Sequence, residues 1–392
     1  MRLTAVLHRN TGLFSSAAPR PASKQGQGLP RRIICAGIYA VLCAAVFTAL
    51  GLCGCGKSAA AYERQLFAMD TFMLLRVYSA SAEEASSALD EAEAEVARLD
   101  GLLSPAIEQS DVYALNHSGG RAVAVDEDTY ALLERTLGFS SNVGACFDCT
   151  LYPVSRAWGF ASGSAADGSG GSNRVPSAEE LAALLPLVDD SRIALDANAH
   201  TALLPKGSEL ELGAAAKGYA GDKLRDMLKQ RGVVSALLDL GSSTIVTIGN
   251  KPDGGAWRIA LRDPMDSSAY AGAVSIGEGS VSTSGGYERY FTGEDGTVYW
   301  HILDPKTGAP ARNGIVSVTV LTDEAFLGDS LSTALFVMGL DDAVSYWRTN
   351  GGFEFIIITE DGGLYATEGA AAVFTPLGAY EHAKVTVIAH ED

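Results

Sequence analysis

The 392-residue chain is 47% hydrophobic and 19% charged, a globular composition long enough for one large domain or two ordinary ones. Its 29 Lys/Arg and 47 Asp/Glu give a net charge of −18, unevenly spread: residues 1–55 hold six Lys/Arg and no Asp/Glu, so the remainder has 23 basic and 47 acidic residues, a net of −24. So acidic a body argues against nucleic acid as a partner and against docking on anionic lipid through a basic face.

Residues 1–32 are polar and basic, ending in Arg31-Arg32, and residues 33–52 are almost wholly apolar. A basic flank, an apolar run and small residues ahead of a cysteine make a secretion signal. Leu52-Cys53-Gly54-Cys55 resembles a bacterial lipoprotein box, which predicts cleavage before Cys55 and lipidation there. The expected organisation is a signal segment 1–55, a tether 56–64 and a body 65–392 on the extracytoplasmic side of a membrane. An uncleaved anchor is the alternative, because the apolar run is about long enough to span a bilayer. Four of the six cysteines fall in this segment, leaving Cys146 and Cys149. These either pair in an oxidising compartment or are two small residues beside a pocket. Without a thioredoxin-like setting the second reading is preferred.

Along the body, residues 65–78 read as a first strand with Met69-Asp70-Thr71 in its middle. Residues 81–103 read as a helix capped by Ser81, with apolar residues at 85, 89, 92, 96, 99 and 103. A short segment at 112–116, a brief strand at 123–125 and a second amphipathic helix over 128–140 follow. Residues 142–160 are loop-like and aromatic, with Asp148, Tyr152, Trp158 and Phe160, a mixture that suits a pocket wall or, equally, an irregular core segment. Residues 161–175 form a Ser/Gly/Ala-rich insertion expected to be flexible, followed by a helix opened by Ser177. A hairpin at 193–204 places His200 in its turn.

Residues 209–213 read as a strand and glycine turn leading into a helix that begins Ala214-Ala215-Ala216-Lys217-Gly218. Small residues at a helix start let a ligand close on the backbone N–H groups, a setting that favours phosphate. Close helix–strand packing needs the same small residues, so the pattern alone leaves both readings open. Strands then alternate with turns through residue 284. Trp300-His301-Ile302-Leu303-Asp304-Pro305 reads as a strand end running into a tight turn; His301 is then either a group open to a cleft and suited to moving protons near neutral pH, or a partly buried histidine above an Asp-Pro turn, which the stretch alone favours. In the helix expected over 323–338, Asp329 and Thr333 stand four apart on one face, two hard oxygen donors that suit Mg²⁺, although this spacing is common by chance and alone favours no metal. The fold class that follows is α+β, with largely antiparallel or mixed sheets and packed helices in one large domain.

Taken in order, Met69-Asp70-Thr71, Gly144-Ala145 with Phe147-Asp148, Leu212-Gly213 through Tyr219, Leu240-Gly241, Ser282 to Gly285 with Tyr287-Glu288-Arg289, His301 to Gly308 and Asp329 to Ala334 resemble the ApbE-like flavin transferases, the FAD:protein FMN transferases. The resemblance covers about residues 65 to 370. It implies FAD as substrate and Mg²⁺ as cofactor. The FMN part would pass through a phosphoester to a threonine or serine of an extracytoplasmic acceptor, an electron-transfer subunit, with release of AMP. It further implies that the Ala214 backbone oxygen, Asp329 and Thr333 hold Mg²⁺. Met69, Ala145, Cys146, Phe147, Asp148, Glu211, Lys217 and Leu303 would line the FAD site, with His301 as the base for the acceptor hydroxyl. Departures from the family pattern are Glu211 in place of aspartate, Ala106 in place of tyrosine, Ser242-Ser243 after Leu240-Gly241, and the two cysteines. Two other outcomes stay open at this point: hydrolysis of FAD to FMN and AMP, and flavin binding without turnover.

Overall fold

Strand Glu354–Thr359 carries four consecutive apolar residues, Phe355 to Ile358, a pattern that belongs to a strand covered on both faces. Phe355 and Ile357 pack with Val318 and Val320 in one core, whereas Ile356 and Ile358 pack with Val281 and Leu321 in another. The strand lies inside a sheet that, among the described residues, has nine strands. In spatial order they are Ala60–Ala68, Thr71–Ser79, Ala236–Asp239, Thr244–Ile248, Gly279–Gly285, Ile315–Thr322, Glu354–Thr359, Leu364–Thr367 and Val385–Ile388. Every neighbouring pair is antiparallel except the last, which is parallel. The computed structural model describes residues 59–161 and 173–390. The chain divides into two units, Met1–Gly56 and Lys57–Asp392, and the first lies outside the described residues.

One face of the sheet carries helices Ala82–Leu103, Gly213–Gln230 and Ala325–Met338; the other carries a three-stranded sheet of Trp257–Arg262, Tyr270–Ile276 and Phe374–Pro376. The expected α+β class with mixed sheets is therefore the observed one. Ser81 caps the first helix by accepting from the Glu84 N–H, and Ala85, Leu89, Ala92, Val96, Leu99 and Leu103 are its buried stripe, as their spacing predicts.

Helices Gly213–Gln230 and Ala325–Met338 approach unusually closely. A Cβ on Gly218 would stand 2.2 Å from the Ala325 carbonyl oxygen, and one on Gly221 would stand 3.4 Å from Ala325 Cβ and 2.7 Å from Val246 Cγ2 of the sheet beneath. Asp222, on the next position of the same helix, accepts from the N–H groups of Ala325 (2.8 Å) and Phe326 (3.0 Å). Those first-turn donors get no side-chain cap from Glu324, the residue that precedes the helix, so the neighbouring helix supplies it. This contact fixes the position of Asp329, one turn further on.

Three expectations need correcting. Residues 56–58 of the expected tether lie outside the described residues, and its residues 60–64 with the expected single strand 65–78 form a hairpin, Ala60–Ala68 with Thr71–Ser79. Its two-residue turn puts Met69 (φ 49°) and Asp70 (φ 60°) in the left-handed region, which a two-residue hairpin needs and which Met seldom signals. The stretch 142–160 contains helix Tyr152–Trp158, begun with Pro153 in its first turn and stopped at Gly159 (φ 82°). Residues 209–212 make only an isolated bridge, Glu209 with Leu151, because helix Gly213–Gln230 starts immediately after them. His200 lies in its hairpin turn as expected, at φ 47°. The signal segment with Cys55 and most of the 161–175 insertion lie outside the described residues.

Candidate active site

No side chain caps the start of helix Gly213–Gln230, and Gly213 and Ala214 line a cleft of about 620 Å³. Uncapped first-turn N–H groups at the positive end of a helix dipole are a seat for an anion. Lys217, one turn in, donates to Gly213 O (3.0 Å) and lies 3.7 Å from Asp329 Oδ2. The buried Asp329 accepts from the Thr244 hydroxyl through Oδ1 (2.9 Å) and from the Gly218 N–H through Oδ2 (2.9 Å). That N–H is the one α-helical spacing directs at Ala214 O, so its bond to Asp329 weakens the claim on that carbonyl. Thr333 lies one turn beyond Asp329, its hydroxyl 3.2 Å from that of Ser284, which is also 2.8 Å from the Ser332 hydroxyl.

The facing wall is built from loops. Phe147 is buried and Cys146 half-buried at the cleft surface. Asp148 accepts from the Thr150 N–H (2.7 Å), the Thr150 hydroxyl (2.5 Å) and the Asp190 N–H (3.1 Å). Desolvation raises the Asp148 pKa against these bonds, and burial together with the Asp148 charge pushes Asp190 up to about 6. Burial also raises Glu211, which keeps one strong partner, the Ser155 hydroxyl at 2.6 Å.

His301 follows strand Val298–Trp300, which pairs with Tyr290–Thr292. Its backbone N–H donates to Arg289 O (3.0 Å), and its Nδ1 lies 3.2 Å from the same oxygen. A carbonyl only accepts, so the tautomer assigned by this contact carries the proton on Nδ1 and leaves Nε2 as a base. Burial, then the Arg289 charge, pushes the half-buried imidazole down to about 4, with Lys217 adding and the Arg289 backbone bond opposing. It is therefore neutral at pH 7. The turn behind it is pinned: Gly308 (φ 67°) donates to Asp304 O (2.8 Å), and the buried Trp158 indole donates to Gly308 O (2.7 Å). Across the mouth, Arg289 Nη2 donates to Asp70 Oδ2 (3.0 Å) and so joins the histidine segment to the first hairpin.

The cleft gathers His301, Met69, Cys146, Phe147, Asp148, Glu211, Lys217, Leu303, Ala214, Asp329 and Thr333. Ala145 does not line it. The Cys146 N–H donates back to Gly144 O (2.7 Å), and this tight bend leaves Ala145 exposed. Cys146 and Cys149 are both free thiols, the second fully enclosed. Ser242, at a departure from the family pattern, adopts φ 66° and donates its N–H to Asp239 (2.6 Å). Sequence reasoning missed Asp70, Arg289, Glu288, Ser155 and Thr244. The first three sit in stretches that carried the resemblance, and their charges were the available signal. The two hydroxyls, one on a loop-like stretch and one on a strand, gave none. Glu288 is exposed as a residue, yet desolvation of its carboxyl pushes it up to about 7, Lys217 opposing and Asp329 adding.

The model of the family described as ApbE family matches residues 69–357. This chain belongs to the ApbE family. An FAD:protein FMN transferase of Klebsiella pneumoniae (strain 342) is 32% identical over 321 residues, 81% of this chain and 95% of its own length. The FAD:protein FMN transferase of Treponema pallidum (strain Nichols) is 33% identical over 340 residues, 83% of this chain and 91% of its own. Among solved structures, the ApbE protein of Thermotoga maritima matches with a TM-score of 0.73 at 30% identity, covering 80% of this chain and 99% of that one. The apo form of the Pseudomonas stutzeri flavinyl transferase ApbE matches with a TM-score of 0.68 at 29% identity, covering 82% and 96%.

Proposed function

We propose that this ApbE-family enzyme transfers FMN from FAD to a threonine or serine hydroxyl of a target protein. The hydroxyl oxygen bonds to the FMN-side phosphorus, the bond from that phosphorus to the AMP oxygen breaks, and the hydroxyl proton leaves. The observation that carries this reading is the placing of His301 and the Lys217/Asp329/Thr333 wall in one cleft, in a chain whose relatives over four-fifths of its length are FAD:protein FMN transferases.

His301 Nε2 takes the proton. Its neutrality at pH 7 and the Arg289 oxygen at Nδ1 both suit that role. The helix start at Gly213–Ala214 and the Lys217 ammonium receive the pyrophosphate. Met69, Phe147 and Leu303 give apolar surface to the flat parts of FAD, and Asp148 and Glu211 are acceptors for its N–H and O–H groups. The donor set fits a magnesium ion: one carboxylate, one hydroxyl and one carbonyl, all hard oxygens, with lone pairs left on Asp329 beyond its two hydrogen bonds. Asp329, Thr333 and Ala214 O would hold it, and when bound it supplies Lewis-acid neutralisation of phosphate charge. Residues 1–55 support a further part of the reading, lipidation at Cys55 with the enzyme on the extracytoplasmic side of a membrane.

The test is the intact mass of an extracytoplasmic electron-transfer subunit incubated with the enzyme, FAD and Mg²⁺. A gain of one FMN less one water supports transfer. Unmodified subunit with free FMN and AMP identifies a hydrolase, and unchanged FAD identifies a flavin carrier.

A further inference from the structure

Nine large apolar side chains are strongly exposed among the described residues, and their placing is uneven. Phe67, Phe72, Met265, Tyr270, Tyr290 and Val298 each lie within three residues of a side chain that lines the cleft; only Val175, Val234 and Val387 do not. All four exposed aromatics and the one exposed methionine are in the first group. They come from three separate parts of the chain: the first hairpin, the connection between strands Trp257–Arg262 and Tyr270–Ile276 with the first residue of the latter, and the hairpin that leads to His301. The most prominent pair sits at the hairpin tip. Phe67 (61% exposed) and Phe72 (78% exposed) are cross-strand partners, rings edge to face at 5.0 Å, flanking the turn that places Met69, Asp70 and Thr71 in the cleft wall.

Aromatic rings and a methionine left in water on the same three segments that supply cleft-lining residues mark an interface rather than a free surface. What the interface holds follows from the reaction. The cleft of about 620 Å³ must contain FAD, so a folded acceptor cannot enter it. Only the segment that bears the hydroxyl reaches His301, and the flanking acceptor surface comes to rest on the rim. We infer that the rim formed by Phe67, Phe72, Met265, Tyr270 and Tyr290 is the docking surface for the acceptor protein, and that it binds apolar side chains flanking the acceptor hydroxyl. The inference rests on the transferase reading, since a hydrolase would need no such surface.

The test uses the full-length enzyme and a purified electron-transfer subunit that it flavinylates, with two variants outside the cleft lining: Phe67→Ser with Phe72→Ser, and Met265→Ser with Tyr270→Ser. Each double variant is expected to raise the acceptor KM about tenfold or more, the scale of hot-spot loss at an interface. FAD affinity, and AMP release from FAD without acceptor, should stay within about twofold of wild type, which separates docking from misfolding. An unchanged acceptor KM overturns the inference. So does an unchanged KM alongside loss of self-association in light scattering or of binding to phosphatidylglycerol vesicles, which would assign the rim to a second copy or to lipid. FAD affinity falling in step with acceptor affinity also overturns it. Failure of the wild-type enzyme to label any subunit is a different result and removes the transferase reading itself.

Discussion

The two walls of the cleft are built on opposite principles. The inner wall is a pair of helices in glycine-mediated contact, where Asp329 is buried and each of its oxygens has a partner, and where Asp222 of one helix caps the other. The outer wall is made of hairpin turns and loops, with left-handed Met69 and Asp70, a surface ion pair between Asp70 and Arg289, and exposed aromatics on the same segments. A packed helix pair holds hard oxygen donors to a few tenths of an ångström, which phosphate and metal chemistry needs. Turns tolerate exchange of their exposed residues, which choice of a protein acceptor needs. His301 joins the two: it stands on the loop wall but is desolvated and influenced by Lys217 from the helix wall.

The comparison can be broken at four places, in falling order of effect. His301→Ala is expected to lower the single-turnover transfer rate by about 10²–10⁴-fold while FAD affinity stays within a few-fold; stopped-flow rates and equilibrium binding of FAD check it. Gly218→Ala places a Cβ 2.2 Å from a backbone oxygen, so urea denaturation should show a loss of about 1–3 kcal/mol, and Asp329 should lose its grip with a raised Mg²⁺ requirement. An outer-wall change such as Phe72→Ser should leave both readouts near wild type. The pH profile gives the third test. In the proposed role of His301 as base the neutral imidazole is the working form, and its pKa is pushed down to about 4, so the rate should hold as pH falls through the ordinary histidine range near 6.5 and drop only as pH approaches about 4. A drop centred at 6–7 would mean that the imidazole is solvated. The smallest effect is expected from Asp70→Asn, which removes a solvent-exposed ion pair worth about 0–1 kcal/mol: stability should barely move, and the FAD KM should shift by no more than a few-fold.

The helices of the inner wall were legible in the sequence because their signals are periodic. The resemblance to the ApbE-like family, rather than the i, i+4 spacing or the small residues alone, singled out Ala214, Lys217, Asp329 and Thr333 as site positions. What the sequence did not disclose is why those helices fit, since the caps from Asp222 and the contact at Gly218 are relations between segments 103 to 111 residues apart. The outer wall was legible only as motifs. His301 was found from its strand end and turn, but Met69-Asp70 carries no glycine or asparagine to announce a two-residue turn, so a hairpin read as one strand. Ala145 followed its neighbours by analogy, and a single backbone bend, Cys146 N–H to Gly144 O, takes it out of the cleft. The partners of the charged residues at the mouth depend on where two distant turns meet, which no local pattern encodes.

The measurement that bears most directly on the two walls acting as one site is a double-mutant cycle on the single-turnover transfer rate, with wild type, His301→Ala, Asp329→Ala and the double variant at saturating FAD and Mg²⁺. Residues that serve one transition state are strongly non-additive. The double variant should therefore be little slower than the worse single variant. A rate in the double variant equal to the product of the two separate losses would contradict a shared site.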